Sequence, residues 1–386
     1  MIVLDNRLLA LRDAAREWSE DFRRHGLALD ERPDDIGGYL SLPAARWMAR
    51  SVIPPRYNPE PLRIGPHRYD GMECLERVVG FEQLAYGDAG MTLACPGPSM
   101  SGILVHDLGS PEQQERYFAR ILSEPTWTFF ALTEPGRGSD ASALETALTP
   151  APDGGHWRLD GVKRYIGNGT RAQLGVVFAR SKPGPLGIDA VLVDATADGF
   201  AAEALEMIGL RGARISELRF DGVRIDRGDV LGHELPRTRR GIWGAVMTFN
   251  RLRPAVGAAA LGVAQAAYDY ARQQRRRLRG GEQERMDDLA EGLAATRQLL
   301  YHAAAEIDAD PTRGALASAA KVHAVHLAEQ ATLTAAELLG PGSTLEHPLV
   351  DKLLRDARGF EFMEGTSTMQ KLNVFQGLQR GWLDAA

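Results

Sequence analysis

Cysteine is almost missing from this chain: Cys74 and Cys95 are the only two thiols in 386 residues. That excludes a disulfide framework. Two buried, reduced thiols are the expectation in a chain with no secretory features. No apolar run approaches the ~18 residues of a membrane span, so none is predicted. The opening stretch MIVLDNRLLALRDAAREW has no apolar h-region and no small-residue cleavage site. It therefore does not read as a signal peptide, and the cytoplasm is the expected compartment. The net charge of −6 argues against a nucleic-acid partner for the molecule as a whole. Several catalytic signatures are also absent. No G-x-G-x-x-G follows a predicted strand and no G-x-x-x-x-G-K-[ST] occurs, which argues against Rossmann and P-loop sites. G-x-S-x-G and C-x-x-C are missing too. His323 and His326 stand three apart on a predicted helix, but no carboxylate or third ligand is spaced to join them. They read as a surface or core pair, and no metal site is predicted.

What is present is an ordinary globular composition, 44% hydrophobic and 25% charged, in a chain long enough for two or three domains. Its period changes twice. Residues 1–125 read as helices: LLALRDAAREWSEDFRRHG with a stop at Gly26, GMECLERVVGFEQLAYGDAG with a stop at Gly87 and Gly90, and SPEQQERYFARILS. The last of these opens with Ser110 as N-cap, Pro111 in the first turn and Gln113 closing a capping box. The Pro- and Gly-rich IPPRYNPEPLRIGPHRYDG between them reads as loop. Residues 126–232 hold short β-branched runs punctuated by Gly, Asp and Pro, which predict a small antiparallel β domain. Residues 233–386 return to the helical period over 241–278, 283–309, 313–339 and 367–381, with Ala-rich faces suited to a four-helix bundle. The predicted class is α+β, in the order helical domain, antiparallel β domain, helical bundle.

Two stretches carry chemistry. In FFALTEPGRGSD, Phe129 to Asp140, an apolar strand runs into a loop rich in backbone donors and hydroxyls. The loop has no lysine, histidine or cysteine. It is suited to holding something flat and polar. In RDARGFEFMEGTSTMQKL, Arg355 to Leu372, Glu364 sits among Phe360, Phe362 and Met363. A carboxylate in apolar surroundings loses hydration, and its pKa rises toward neutrality, which suits a general base. Ser367 with Gln370 reads as a capping box opening the last helix, so Glu364 would lie on the loop just before it. Pattern alone leaves equally open a solvated turn glutamate beside a helix start.

Five stretches in order resemble the acyl-CoA dehydrogenase family: TEPGRGSD, LDGVKRYIGNG, GLRGARISELRFDGVRI, RLRPAVGAAALGVAQAA and RDARGFEFMEGTS. They span nearly the whole chain. The resemblance implies an FAD-dependent enzyme that removes a proton α to a thioester carbonyl and passes the β hydride to the flavin. It places Phe130, Leu132 and Thr133 against the flavin ring, with Gly138 and Ser139 nearer the pyrophosphate. Tyr165 and Ile166 lie along the flavin, and Gly167 stands where the family usually has a hydroxyl residue. Glu364 matches the family's base. Leu252, at the alternative position used by a few subfamilies, cannot act as one. Arg253, Met363, Gly365 and Ser139 fall at substrate positions, and Thr366 and Thr368 at cofactor positions. Arg276 matches the arginine expected to reach FAD phosphate. Arg279, Glu337 and Pro341 depart from the residues that usually meet the FAD of a neighbouring subunit.

The expected substrate is an acyl thioester of coenzyme A or of an acyl carrier protein, with electron-transfer flavoprotein or oxygen as electron acceptor and a homodimer or homotetramer as the assembly. Oxidation of a hydroxyacyl group on a carrier protein and flavin monooxygenation are the alternatives. The run RQQRRRLR, Arg272 to Arg279, reads first as a solvated helix end or a phosphate contact. Read instead as a surface for an acidic carrier protein, it requires Arg272, Arg275 and Arg279 on one helical face.

Overall fold

The computed structural model describes residues 1–383. Asp5 caps helix α1 (Asn6–Glu31), its carboxylate accepting from the Leu8 N–H at 2.8 Å. Helix α2 (Pro43–Arg50) follows. The segment read as continuous loop then contains an antiparallel hairpin, β1 (Leu62–Ile64) with β2 (His67–Tyr69). Helix α3 (Cys74–Ala94) is kinked at Asp88. Neither α1 nor α3 stops at its predicted glycine. A Cβ on Gly26 would collide with the Asp88 carboxylate, and one on Gly87 with the Ser19 carbonyl. These glycines let the two helices cross closely and do not end them. Helix α4 (Ser99–Leu108) leads to α5 (Pro111–Ser123), which opens with the predicted capping box.

Seven strands come next: β3 (Thr128–Ala131), β4 (Ala147–Pro150), β5 (Trp157–Ile166), β6 (Leu174–Arg180), β7 (Ile188–Asp194), β8 (Phe200–Ala204) and β9 (Ser216–Ile225). They form one sheet in the order β3-β6-β4-β5-β9-β8, with β7 also paired to β6. Most pairings are antiparallel, as expected. The exceptions are β6 with β3 and β6 with β4, which run parallel and make the sheet mixed. The long connection after β3 allows this, because parallel neighbours cannot be joined by a tight turn. Strand β6 is covered on both faces. Val177 and Ala179 enter the sheet's own core, while Val176 and Phe178 pack toward Leu104, Leu108, Tyr117 and Phe118 of α4 and α5. Its unbroken apolar run follows from that double burial.

The C-terminal segment holds α6 (Ile242–Gln274), α7 (Gly281–Ala309), α8 (Ala315–Leu339), the single turn α9 (Ser343–Glu346), α10 (Pro348–Gly359) and α11 (Ser367–Gln379). Helix α6 ends before the predicted 278, and α10 has no counterpart among the four predicted helices. Its inward face mixes Lys352 and Asp356 with Val350, Leu353 and Ala357, which blurs the apolar period. Helices from both ends of the chain share one core: Leu11, Phe22, Val78 and Leu84 pack with Leu261, Leu293, Val325 and Leu353. The Ala-rich face of α6, with Ala258, Ala259, Ala260 and Ala264, is buried inside this core. Both cysteines are buried and free.

Candidate active site

Glu364 lies on the loop between α10 and α11 in a left-handed conformation, φ +55°, followed by Gly365 at φ +95°. Two successive residues of this kind turn the loop's carbonyls inward, and side chains from three helices meet them. From α6, Arg253 Nε donates to the Glu364 carbonyl at 3.3 Å, and its Nη1 donates to Asn250 Oδ1 at 2.7 Å. From α8, Lys321 Nζ donates to the carbonyls of Glu361 (3.0 Å) and Gly365 (2.9 Å). From α11, Gln370 Nε2 donates to those of Glu364 (2.9 Å) and Gly365 (3.0 Å). The cap of α11 is therefore not the predicted one. Thr366 is the N-cap, Ser367 binds the Glu361 carboxylate through its N–H and hydroxyl, and Gln370 ties down the loop.

Glu364 as a residue is half-buried, but its carboxyl Oε2 is sealed from solvent and has no hydrogen-bond partner. Burial pushes this carboxyl up to about 7, against the pull of Arg253 and Lys321. Burial lowers Arg253 to about 10, with Glu364 pulling it back up. It lowers Lys321 to about 8, opposed by Glu361 and Glu364. These cations bond to main-chain carbonyls. Among the described residues none forms an ion pair with the Glu364 carboxylate, so the carboxyl is left free to take a proton.

The loop after β3 forms the second half of the site. Glu134 is buried beneath it and accepts from the N–H groups of Glu145 (2.7 Å) and Thr146 (2.8 Å). The buried Lys163 of β5 reaches Glu134 and the Leu132 carbonyl, both at 2.9 Å. Burial drives Lys163 down to about 8 despite Glu134. The Glu134 carboxyl, which burial alone would raise, is held below its ordinary value by Lys163 and these hydrogen bonds. The Arg164 N–H closes on the Thr133 carbonyl at 2.9 Å. Above this staple, Gly138 and Ser139 are exposed and Thr133 is half-buried. At the end of β5, Tyr165 takes φ +63° and points outward, 58% exposed. Ile166 turns its side chain into the sheet core and Leu132 packs toward α4 and α5. Either residue can therefore meet a cofactor only through its backbone or an edge. Asn168, also left-handed, ties this turn to α3 through the Leu93 carbonyl at 3.0 Å.

Aromatic contacts join the halves. Phe130 lies 5.7 Å from Phe249 of α6, centroid to centroid, and the Arg253 guanidinium sits 5.8 Å from the Phe249 centroid. Thus Phe130, Arg253 and Glu364 belong to one contiguous set. Met363 packs on the helical core, Thr366 is half-buried and Thr368 faces solvent. Arg276 lies away from these contacts, exposed beyond the end of α6. The proposed face of Arg272, Arg275 and Arg279 does not form, because the helix ends between the first two. Arg275 turns inward to the Leu338 carbonyl and pairs with Glu282 at 2.9 Å, while Arg272, Arg276, Arg277 and Arg279 are exposed. His323 and His326 both face solvent.

The chain matches the acyl-CoA dehydrogenase middle domain over residues 129–223 and the C-terminal domain over 239–379. It is 34% identical over 277 residues to cyclohexane-1-carbonyl-CoA dehydrogenase of Geobacter metallireducens, covering 69% of this chain and 71% of that protein. The chain belongs to the acyl-CoA dehydrogenase family. Like the family, the dehydrogenase depends on FAD and acts on acyl thioesters. Its fold superimposes on butyryl-CoA dehydrogenase from Megasphaera elsdenii with a TM-score of 0.82, at 25% identity over 98% of this chain and 100% of the other. It also shares its fold with the prolyl acyl carrier protein oxidase AnaB, with a TM-score of 0.86 at 21% identity over 97% and 100% of the two chains.

The residues of the dehydrogenase fit FAD. A Cβ on Gly138 or Gly167 would meet no atom within 4 Å, so both backbones border open space. Among the described residues, the N–H groups of Gly138, Ser139 and Gly167 have no protein acceptor. Free donors beside open space, with no reactive base among them, match the ring carbonyl and phosphate oxygens of a flavin nucleotide. The sequence reading missed Lys163, Glu134, Asn250 and Lys321, and gave Gln370 a capping role in place of its hold on the Glu364 and Gly365 carbonyls. The signal for Lys321 was present: a lone cation in the Ala-rich run LASAAKVHAV.

Proposed function

We propose that Glu364 is the general base of this dehydrogenase and takes the α proton of a fatty or related acyl-CoA thioester. The observation that carries the reading is the sealed, partnerless Glu364 Oε2 on a loop held by Arg253, Lys321 and Gln370. A carboxylate with no competing donor has lost its hydration. Its affinity for a proton is set near neutrality, which suits proton abstraction. FAD, when bound, supplies the acceptor for the β hydride. Thr133, Gly138, Ser139, Tyr165, Gly167 and Thr366 would hold it through backbone N–H groups, hydroxyls and ring faces. Arg253 fixes the Glu364 carbonyl, leaving the Glu364 N–H to polarise a thioester oxygen as charge develops there. Phe130 and Phe249 exclude water beside Arg253.

The test is anaerobic bleaching of the bound flavin by a panel of acyl-CoA thioesters. The wild type is expected to bleach with at least one of them. Glu364→Gln is expected to keep the flavin and to lose reduction by about 10²- to 10⁴-fold. Near-normal bleaching by the Gln variant would remove Glu364 from this role.

One observation favours a second carrier. Arg272, Arg276, Arg277 and Arg279 are exposed on a chain of net charge −6, a local excess that would draw an acidic acyl carrier protein. On this reading the triple variant Arg272→Glu, Arg276→Glu, Arg277→Glu slows turnover of carrier-bound substrate, most strongly at low salt. A pantetheine thioester is left unaffected. Loss of flavin in the same variant would assign the arginines to cofactor phosphate. Electron-transfer flavoprotein or oxygen is the proposed electron acceptor, and a homodimer or homotetramer the proposed assembly.

A further inference from the structure

We propose that Lys321 is the positioning residue for the base, its ammonium gripping the carbonyls of Glu361 and Gly365 on either side of Glu364 so that the carboxylate is aimed without being paired. The inference rests on the reading of Glu364 as the base. Lys321 is fully buried, and it is the one charged side chain among the buried residues of a helix whose inward face is mostly alanine, valine and leucine with Ser318, Thr332 and Thr334. A buried ammonium is costly, and packing alone would favour an apolar side chain at this position. The compensation it finds is specific: two main-chain oxygens at 3.0 and 2.9 Å, both belonging to the loop that carries the base.

The loop needs this grip. Glu364 and Gly365 are both left-handed, a pair that an unrestrained loop would leave readily. Arg253 and Gln370 hold the Glu364 carbonyl and Gln370 also reaches that of Gly365, while among the described residues Lys321 alone joins the carbonyls of Glu361 and Gly365. Its charge acts in addition to its donors. Lys321 is one of the two cations that restrain the upward shift of Glu364. An ion pair with the carboxylate would have suppressed the base. A cation fixed on neighbouring carbonyls stabilises the charged form from a distance and leaves the lone pairs available.

The test uses Lys321→Met, which removes donors and charge, and Lys321→Gln, which keeps a donor and removes the charge, both as flavin-loaded protein. In both variants the apparent pKa governing anaerobic flavin reduction is expected to rise by roughly 0.5–1 unit. The limiting rate in Lys321→Met is expected to fall about 10- to 100-fold with KM little changed, as for a misaimed base. A readout independent of turnover is infrared titration of the protonated carboxyl band that Glu364→Gln abolishes, and that titration should shift by the same amount. An unmoved titration and pH profile in both variants, with flavin retained, overturns the proposal. Failure of both variants to fold also overturns it, since Lys321 would then be a packing residue first. The two readings separate cleanly: if Glu364→Gln itself bleaches normally, the assignment of the base fails. If Glu364→Gln is inactive and only the Lys321 shifts are missing, this inference alone fails.

Discussion

Glu364 is a carboxyl group kept where its charged form is disfavoured, and this carries a stability consequence that can be measured. Its folded pKa is about 7 against an ordinary value of 4.5. Well below pH 4.5 the carboxyl is neutral in folded and unfolded chains alike, and no charge is buried. Between 4.5 and about 7 the unfolded chain gives up the proton first, so stability falls as pH rises. Above about 7 the full penalty applies. Glu364→Gln should therefore be more stable than the wild type at pH 8, by roughly 1–3 kcal/mol, and equal to it near pH 4.5. Denaturant unfolding of the flavin-free proteins at both pH values checks this, and equal stability at pH 8 would place the carboxylate in water. The same titration sets the rate. Flavin reduction should rise with pH through about 7, because only the ionised base accepts the proton. A flat profile from pH 6 to 8 would contradict it.

At the scale of elements, the kink of α3 is the feature most open to test. Asp88 breaks the helix, and its Oδ1 accepts from the Met91 N–H at 2.8 Å, capping the second half. Its other oxygen binds Lys352 at 2.9 Å, and Lys352 also holds Asp356. Asp88→Ala loses both the cap and one side of a buried charge cluster, and should cost about 2–4 kcal/mol. Asp88→Asn keeps an acceptor for Met91 and leaves one cation facing one anion, so it should cost less than half as much. Equal losses in urea unfolding would show that charge outweighs capping here. The long helices, the capping box at Ser110, the β segment and the loops bearing Glu364 and Gly138 were legible, because local period and turn chemistry dictate them. Other features were decided by distant partners. Gly26 and Gly87 read as stops because a sequence does not display the helix that crosses at them. Helix α10 was hidden because Lys352 and Asp356 face inward to meet Asp88, far away in the chain. Lys321 and Asn250 escaped notice, and Gln370 was read as a cap, for the same reason: their partners include carbonyls of other elements, and carbonyls carry no sequence signal.

At the scale of the whole molecule, the case for self-association moves from one surface to another. The Ala-rich faces are consumed inside the monomer, where α6 packs against α3 and α8, and so offer no surface for a second subunit. Exposed apolar side chains are scattered over the molecule, Ile208, Leu333 and Leu345 among them, but three share helix α11. Leu372, Phe375 and Leu378 are 46%, 54% and 42% exposed, and their spacing of three puts them along one helical side. Phe362, on the loop beside Glu364, is 69% exposed. Large apolar side chains gathered this way on a water-facing helix mark a contact surface, and a second copy of the chain is the occupant that the family resemblance implies. The expected assembly is a homodimer or homotetramer. Phe375→Glu would place a charge in that contact and should raise the dissociation constant at least about tenfold, since desolvating an unpaired carboxylate costs more than the ~1.4 kcal/mol this requires. Light scattering across a dilution series, with flavin absorbance recorded on the same samples, tests both statements. A wild-type monomer with full flavin content would defeat the expectation of an oligomer. An oligomer whose dissociation is unchanged by Phe375→Glu would leave the assembly standing and move its interface away from α11.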